Sequence, residues 1–519
     1  MTRRQLVQLA LSALAAAGLG PLRARPAAAA SAHLAWWSAA RYGLFVHWGP
    51  YSLAGVEASW PIMEPGLVAP LGTRHAIAEA DYVALAERFD PRGFDPEGWI
   101  AFARAAGMRY LVITAKHHDG YCLFDAPSRQ RYKITSSPYG RDLLAELAEA
   151  CERAGFPLGF YYSPPDLHHP DYRDTTKPAR ENWSGEPGRP QWSAYLDAME
   201  ADLRHLLTAY GEVAVLWFDG LFETDRYQPE RFHRLVRELS PNTLVNDRLG
   251  ADWGHFVTPE QAIPDGIPVG RRGPAPEITL EQFRAFVRAI EQGISAEQLA
   301  TMLQASQRSR FPTAEMPLGI DFQPWEACMT LGRTWAWDPE EPEYKSPAAV
   351  ARVLVEVASR GGNLLLNVGP KPDGTLPEPC TSRLLTVGEW LQRHGEAIYD
   401  TTYCSDFGPL AGIAAQGART TQGVTRSRPV TREDGSVRHV TYVHLLDAIE
   451  GSGLRLLAAR ARVELDGWEA RRVGRSADDE PEAGLGIRRS DGHLEIALPP
   501  DLAGPDADGM PRVLAVERG

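Results

Sequence analysis

The chain has 519 residues, with 54 lysines and arginines against 67 aspartates and glutamates, a formal net charge of −13. That length fits two or three domains, or one large barrel with an appendage, and the acidic balance argues against a nucleic-acid backbone as partner. Hydrophobic residues at 44% and charged residues at 23% belong to a globular protein and not to a disordered or fibrous one.

The first predicted element is a leader. Thr2-Arg3-Arg4-Gln5-Leu6 precedes an apolar run to Leu22, and Ala27 to Ala32 offers small residues for cleavage. This is the layout of a signal peptide over residues 1–32, and the arginine pair suggests the twin-arginine route. Arg23 and Arg25 keep the run short for a membrane span. The mature protein is therefore expected to be exported, periplasmic or extracellular, and free of the membrane once the leader is removed. Five cysteines (122, 151, 328, 380 and 404) have no paired spacing, and an odd count leaves at least one thiol free.

After the leader, β-rich runs alternate with helical patterns. The expected strands are Gly43–His47, Tyr110–Ala115, Leu158–Ser163, Val213–Asp219, Thr243–Asp247, His255–Thr258, Pro324–Met329 and Asn363–Val368. Helical stretches such as Trp99–Ala106, Asp142–Ala154, Ser193–Tyr210 and Pro229–Leu239 lie between them. Eight strands separated by helices predict an α/β fold, a (β/α)8 barrel, over residues 33–402. A helical insertion is expected at about 264–322, with its periodic part near 277–309. From 403 to 519 short alternating runs separated by Gly and Asp turns predict a small C-terminal β-sandwich.

In such a barrel the chemistry sits where strands end. His47, His117, Tyr161, Asp219, Arg248 and Glu326 are all expected at those ends. Asp219 closes the run Val215-Leu216-Trp217-Phe218 and is followed by Gly220, with Trp217 on the same side of the strand. A carboxylate so placed could attack an anomeric carbon, provided a second carboxyl stands opposite to protonate the leaving oxygen. It could equally serve as a turn or helix cap. His117 and His118 are adjacent, so on a strand they point apart, and no HxH or HExxH spacing accompanies them. Hydrogen bonding to substrate hydroxyls suits them better than holding a metal. His47-Trp48-Gly49 supplies a donor and an aromatic face, and Arg248 in Asn246-Asp247-Arg248 could orient a carboxylate.

Taken in order, these stretches resemble the α-L-fucosidases of glycoside hydrolase family 29. The matching residues run from Arg41-Tyr42-Gly43 and His47-Trp48-Gly49 through Thr114–Gly120, Tyr161–Pro164 and Trp217–Gly220. They continue through Asn246–Arg248, Thr258–Gln261, Trp325–Thr330, Tyr344–Ser346 and Gly361–Gly369. The resemblance implies a barrel followed by a β-sandwich, no cofactor and no metal, and a fucosylated glycan as substrate. It implies a retaining, exo-acting enzyme with Asp219 as nucleophile. His47, Trp48, His117, His118, Tyr161, Trp217 and Arg248 then bind substrate. Glu57 and Trp60 fall near the corresponding first loop, where this sequence departs from the adjacent Glu-Trp pattern. Two glutamates match acid/base positions of different family branches, Glu326 and Glu260, and the Cys-Met-Thr context favours Glu326. A non-catalytic sugar-binding protein on the same scaffold, and a retaining glycosidase for another sugar, are the competing expectations.

Overall fold

In the computed structural model the described residues are 32–269 (apart from 69–70, 72–74, 221–223 and 251–252), 281, 313–314 and 322–404 (apart from 342). Beyond residue 409 the description covers strands and turns separated by short gaps. The expected leader, and nearly all of the stretch expected to form a helical insertion, lie outside the described residues.

Seven parallel strands form one curled sheet in the order β5-β4-β3-β2-β1-β9-β8. They are β1 (Tyr42–Val46), β2 (Leu111–Lys116), β3 (Leu158–Tyr162), β4 (Val215–Phe218), β5 (Leu244–Val245), β8 (Glu326–Thr330) and β9 (Asn363–Val368). The two short strands between β5 and β8, β6 (Ile267–Pro268) and β7 (Thr313–Ala314), pair antiparallel with each other and form a ribbon at the root of the insertion. The gap between β5 and β8 is filled by residues 255–261. Val245 O accepts from His255 N at 2.7 Å, Val257 N donates to Pro324 O at 2.9 Å, and Gln261 N donates to Cys328 O at 2.8 Å. Bridges pair Asn246 with Phe256, Val257 with Trp325 and Glu260 with Cys328, all parallel. Pro259 has no N–H to give, so this eighth position is a chain of bridges and not a continuous ladder. The fold is a (β/α)8 barrel.

Strands buried on both faces read as unbroken apolar runs, and β1, β2 and β9 are buried at every position. Alternation sorts their side chains into two cores. Phe45, Tyr110, Val112, Tyr161, Val215, Trp217 and Leu365 fill the barrel interior. Leu44, Val46, Ile113, Phe160, Leu216 and Leu366 face the outer helices. Helix α1 (Ala32–Ala40) turns Leu34, Trp37 and Ala40 to the interior core, while the outer helices include α2 (Pro96–Ala105) and α3 (Leu143–Ala154). Asp142 caps the start of α3 by accepting from Ala145 N at 3.0 Å. Beyond the barrel, strand Thr401–Tyr403 pairs with Ala418–Ser427, which continues through Val440–Leu445 and Arg512–Arg518 to Trp468–Val473. A second sheet joins Gly453–Leu457, His493–Ala497 and Ile487–Ser490. This is the C-terminal β-sandwich.

Candidate active site

At the C-terminal ends of the strands Asp219 is placed by the last turn of β4. Gly220 takes φ 78°, and a side chain there would run into the His118 ring. Asp219 Oδ2 accepts from the Tyr161 hydroxyl at 2.8 Å, and Oδ1 accepts from Arg248 Nη1 at 2.5 Å. Burial opposes ionisation of this carboxyl, but Arg248, His118 and Tyr161 outweigh it and hold it below the usual carboxylate range.

Arg248 follows β5 and is fixed from several sides. Its Nε donates to Thr258 Oγ1 at 2.9 Å, and its guanidinium lies 4.5 Å from the centre of the Trp217 ring. Its Nη2 pairs with Glu260 Oε2 at 2.9 Å. One guanidinium therefore spans two carboxylates, which brings them into one small pocket. The pocket is lined by Phe45, His47, Trp60, His117, His118, Tyr161, Trp217, Asp219, Glu260, Cys328 and Trp335.

The three histidines are held neutral. Burial pulls His47 and His118 down to about 4 and lowers His117 well below its ordinary value. Their hydrogen bonds orient them. Asn367 gives its amide proton to the Trp335 carbonyl at 2.7 Å, so its Oδ1 accepts from His47 Nδ1 at 2.8 Å. Ser163 donates to the Pro165 carbonyl at 3.0 Å and so accepts from His118 Nδ1 at 2.6 Å. In both rings Nε2 is then a proton acceptor. His118 Nε2 lies 4.0 Å from Asp219 Oδ2. His117 Nδ1 meets Ser59 Oγ at 2.6 Å, and its ring stacks on Tyr161 at 5.5 Å between centroids.

Two sequence-based expectations do not survive this geometry. Trp48 is not a pocket residue. It follows His47 and so faces the opposite way, into the outer core, packed on Phe89, Phe94 and Trp99, with its Nε1 donating to the Lys371 carbonyl at 3.0 Å. Glu326 opens β8 instead of closing it. It pairs in register with Asn363 at the start of β9, two residues before Cys328, which is the partner of Glu260. At 3.3 Å per residue that is roughly 7 Å below the mouth. It is 0% exposed, against 6% for Glu260 and 8% for Asp219, and it is not among the residues lining the pocket. Trp37 Nε1 at 3.2 Å, Trp217 Nε1 at 3.1 Å and the Tyr110 hydroxyl all donate to it. Burial still pushes its carboxyl up to about 7, against those three hydrogen bonds.

Trp335 is a site residue that the sequence did not point to, whereas Glu57 and Trp60 were expected only near the first loop. Trp335, on the loop after β8, stands 4.8 Å from His47 between ring centroids. That loop is held by Glu57, whose carboxylate accepts from the backbone N–H of Trp335 at 3.0 Å and of Ala336 at 3.2 Å. Trp60 lines the pocket edge-on to His118 at 6.0 Å. Among the described residues no group of three or more His, Cys, Asp or Glu side chains is arranged to hold a metal.

A family model described as alpha-L-fucosidase matches residues 24–272 and 279–396. The chain belongs to the α-L-fucosidase family. It is 26% identical over 388 residues to the tissue alpha-L-fucosidase of Bos taurus, covering 70% of this chain and 68% of that one. Alpha-L-fucosidase isoenzyme 1 of Paenibacillus thiaminolyticus superposes with a TM-score of 0.67 at 29% identity, covering 93% of this chain and 98% of that one. A family 29 fucosidase of Bacteroides thetaiotaomicron, described as a trapped covalent intermediate with 2-fluoro-fucosyl fluoride, shares the fold. Its TM-score is 0.64 at 20% identity, over 97% of this chain and 98% of that one. Within this family the chain is a glycoside hydrolase, and its barrel and sandwich are those of the fucosidases it resembles.

Proposed function

We propose that this α-L-fucosidase removes terminal α-L-fucosyl units from oligosaccharides or glycoconjugates by a retaining double displacement, with Asp219 as nucleophile and Glu260 as acid/base. The observation that carries this reading is the shared guanidinium: Arg248 meets Asp219 at 2.5 Å and Glu260 at 2.9 Å. Retaining glycosidases need two carboxyl groups about 5–5.5 Å apart, and one guanidinium between two carboxyls suits a separation of that order.

In the first step an Asp219 oxygen bonds to C1 of the fucosyl unit as the C1–O bond to the leaving group breaks. Glu260 gives its proton to the departing oxygen. Negative charge thus leaves Asp219, which becomes an ester, and appears on Glu260. Arg248 touches both groups, so it faces one carboxylate before and after the step. In the second step Glu260 takes a proton from water, the water oxygen bonds to C1, and the Asp219 ester bond breaks. The product is L-fucose of retained configuration. The Nε2 atoms of His47 and His118 accept from sugar hydroxyls, and Phe45, Trp60, Trp217 and Trp335 supply apolar surface for the ring and its methyl group. The covalent intermediate trapped in the Bacteroides fucosidase supports the ester step.

Asp219→Ala should abolish release of L-fucose from an aryl α-L-fucoside. Azide should then yield a fucosyl azide of inverted configuration, whereas undiminished turnover would remove Asp219 from the reaction. The Arg3-Arg4 leader further supports export of the enzyme. An N-terminus beginning near residues 27–33 in protein recovered outside the cytoplasm would agree with it, and an uncleaved cytoplasmic chain would not.

A further inference from the structure

Beneath the sugar pocket lies a carboxylate that the double displacement does not use. Glu326 Oε1 accepts from Trp217 Nε1 at 3.1 Å, and Oε2 accepts from Trp37 Nε1 at 3.2 Å and from the Tyr110 hydroxyl. An indole N–H can only donate, so the two tryptophans demand an acceptor at both oxygens. These bonds tie α1, the segment leading into β2, and β4 together at the base of the barrel. At its other edge the same Trp217 indole does work for the site. It stacks on Tyr161 at 5.7 Å and 17° between planes, carries the Arg248 guanidinium on its face at 4.5 Å, and lines the pocket. Nε1 is the sole polar atom of that side chain, so its bond to Glu326 fixes how the ring is turned.

We infer that Glu326 is a positioning residue for the fucosidase reaction, acting through Trp217 to hold the floor of the sugar pocket and the Arg248 guanidinium above it. The inference rests on the reading of Asp219 and Glu260 as the reacting pair. Replacing the carboxylate by an amide keeps the volume but turns one acceptor into a donor, which must face an indole N–H on one side or the other.

The test is a double-mutant cycle between Glu326→Gln and Trp217→Phe, read as kcat/KM on aryl α-L-fucosides with good and poor leaving groups. Glu326→Gln is expected to lose roughly tenfold or more, by the same factor for both leaving groups. In the Trp217→Phe background, where the indole N–H that links Glu326 to the pocket floor is gone, the same change should cost little. Tyr110→Phe withdraws another donor from the same carboxylate and provides a second cycle should Glu326→Gln fold poorly; its smaller loss should also shrink in the Trp217→Phe background. Additive losses in the cycles would overturn the inference, as would a loss confined to poor leaving groups. Inactivity of the unaltered enzyme on every α-L-fucoside would instead refute the functional reading, before either cycle is measured.

Discussion

Arg248 grips Asp219 at 2.5 Å while its other terminal nitrogen meets Glu260 at 2.9 Å, so one side chain sets the charge of the proposed nucleophile and its distance from the proposed acid/base together. A lysine carries the same charge as a point and cannot span two carboxylates. Arg248→Lys should lower kcat on the order of a hundredfold. Asp219 is held below the usual carboxylate range, with Arg248 the largest influence doing so. Losing the guanidinium should therefore move the acid limb of the kcat/KM profile to higher pH. A profile unchanged in both height and position would mean that Arg248 supports the fold and not the reaction.

Trp335 lines the pocket through ring contacts, packing on Phe45 at 5.8 Å and His47 at 4.8 Å between centroids. Its contribution should be uniform binding of the sugar. Trp335→Ala is expected to raise KM about tenfold with kcat nearly unchanged. Steady-state kinetics on an aryl α-L-fucoside checks this, and a fall in kcat at constant KM would oppose it.

Glu57 gives a pH signature. Burial raises its carboxyl from 4.5 to about 7, although it accepts from Ala58, Trp335 and Ala336. A raised carboxyl contributes stability that is full below pH 4.5 and is lost as pH rises through 7. Glu57→Gln removes that loss, so Tm measured from about pH 5 to about pH 8 should fall less steeply, or rise more, than in the unaltered protein. Parallel Tm curves would show that Glu57 is ionised throughout that range.

Much of this architecture could be read from the chain. Seven of the eight barrel positions follow from apolar runs bounded by turns, and Trp217 and Asp219 share a face because they stand two residues apart. The same alternation places Trp48 opposite His47, which is why an aromatic beside a pocket histidine belongs to the outer core. Glu326 was misplaced because its neighbours carry the family resemblance, while its position as the first residue of an apolar strand already puts it at the wrong end. The stretch from His255 to Gln261 reads weakly because Pro259 breaks its ladder. Asn367 carried a usable signal, an amide on the inward face of the apolar strand β9. Trp335 carried none, since its place depends on a loop stapled by Glu57, 278 residues away in the chain.

Proton exchange by Glu260 and not by Glu326 is tested most sharply by the NMR-assigned product that each alanine variant forms from an activated aryl α-L-fucoside in the presence of azide. Glu260→Ala is predicted to keep fast formation of the covalent intermediate and to yield fucosyl azide of retained configuration, with Glu326→Ala yielding only fucose at a uniformly reduced rate. Retained fucosyl azide from Glu326→Ala, alongside a Glu260→Ala enzyme that still cleaves poor leaving groups, would contradict it.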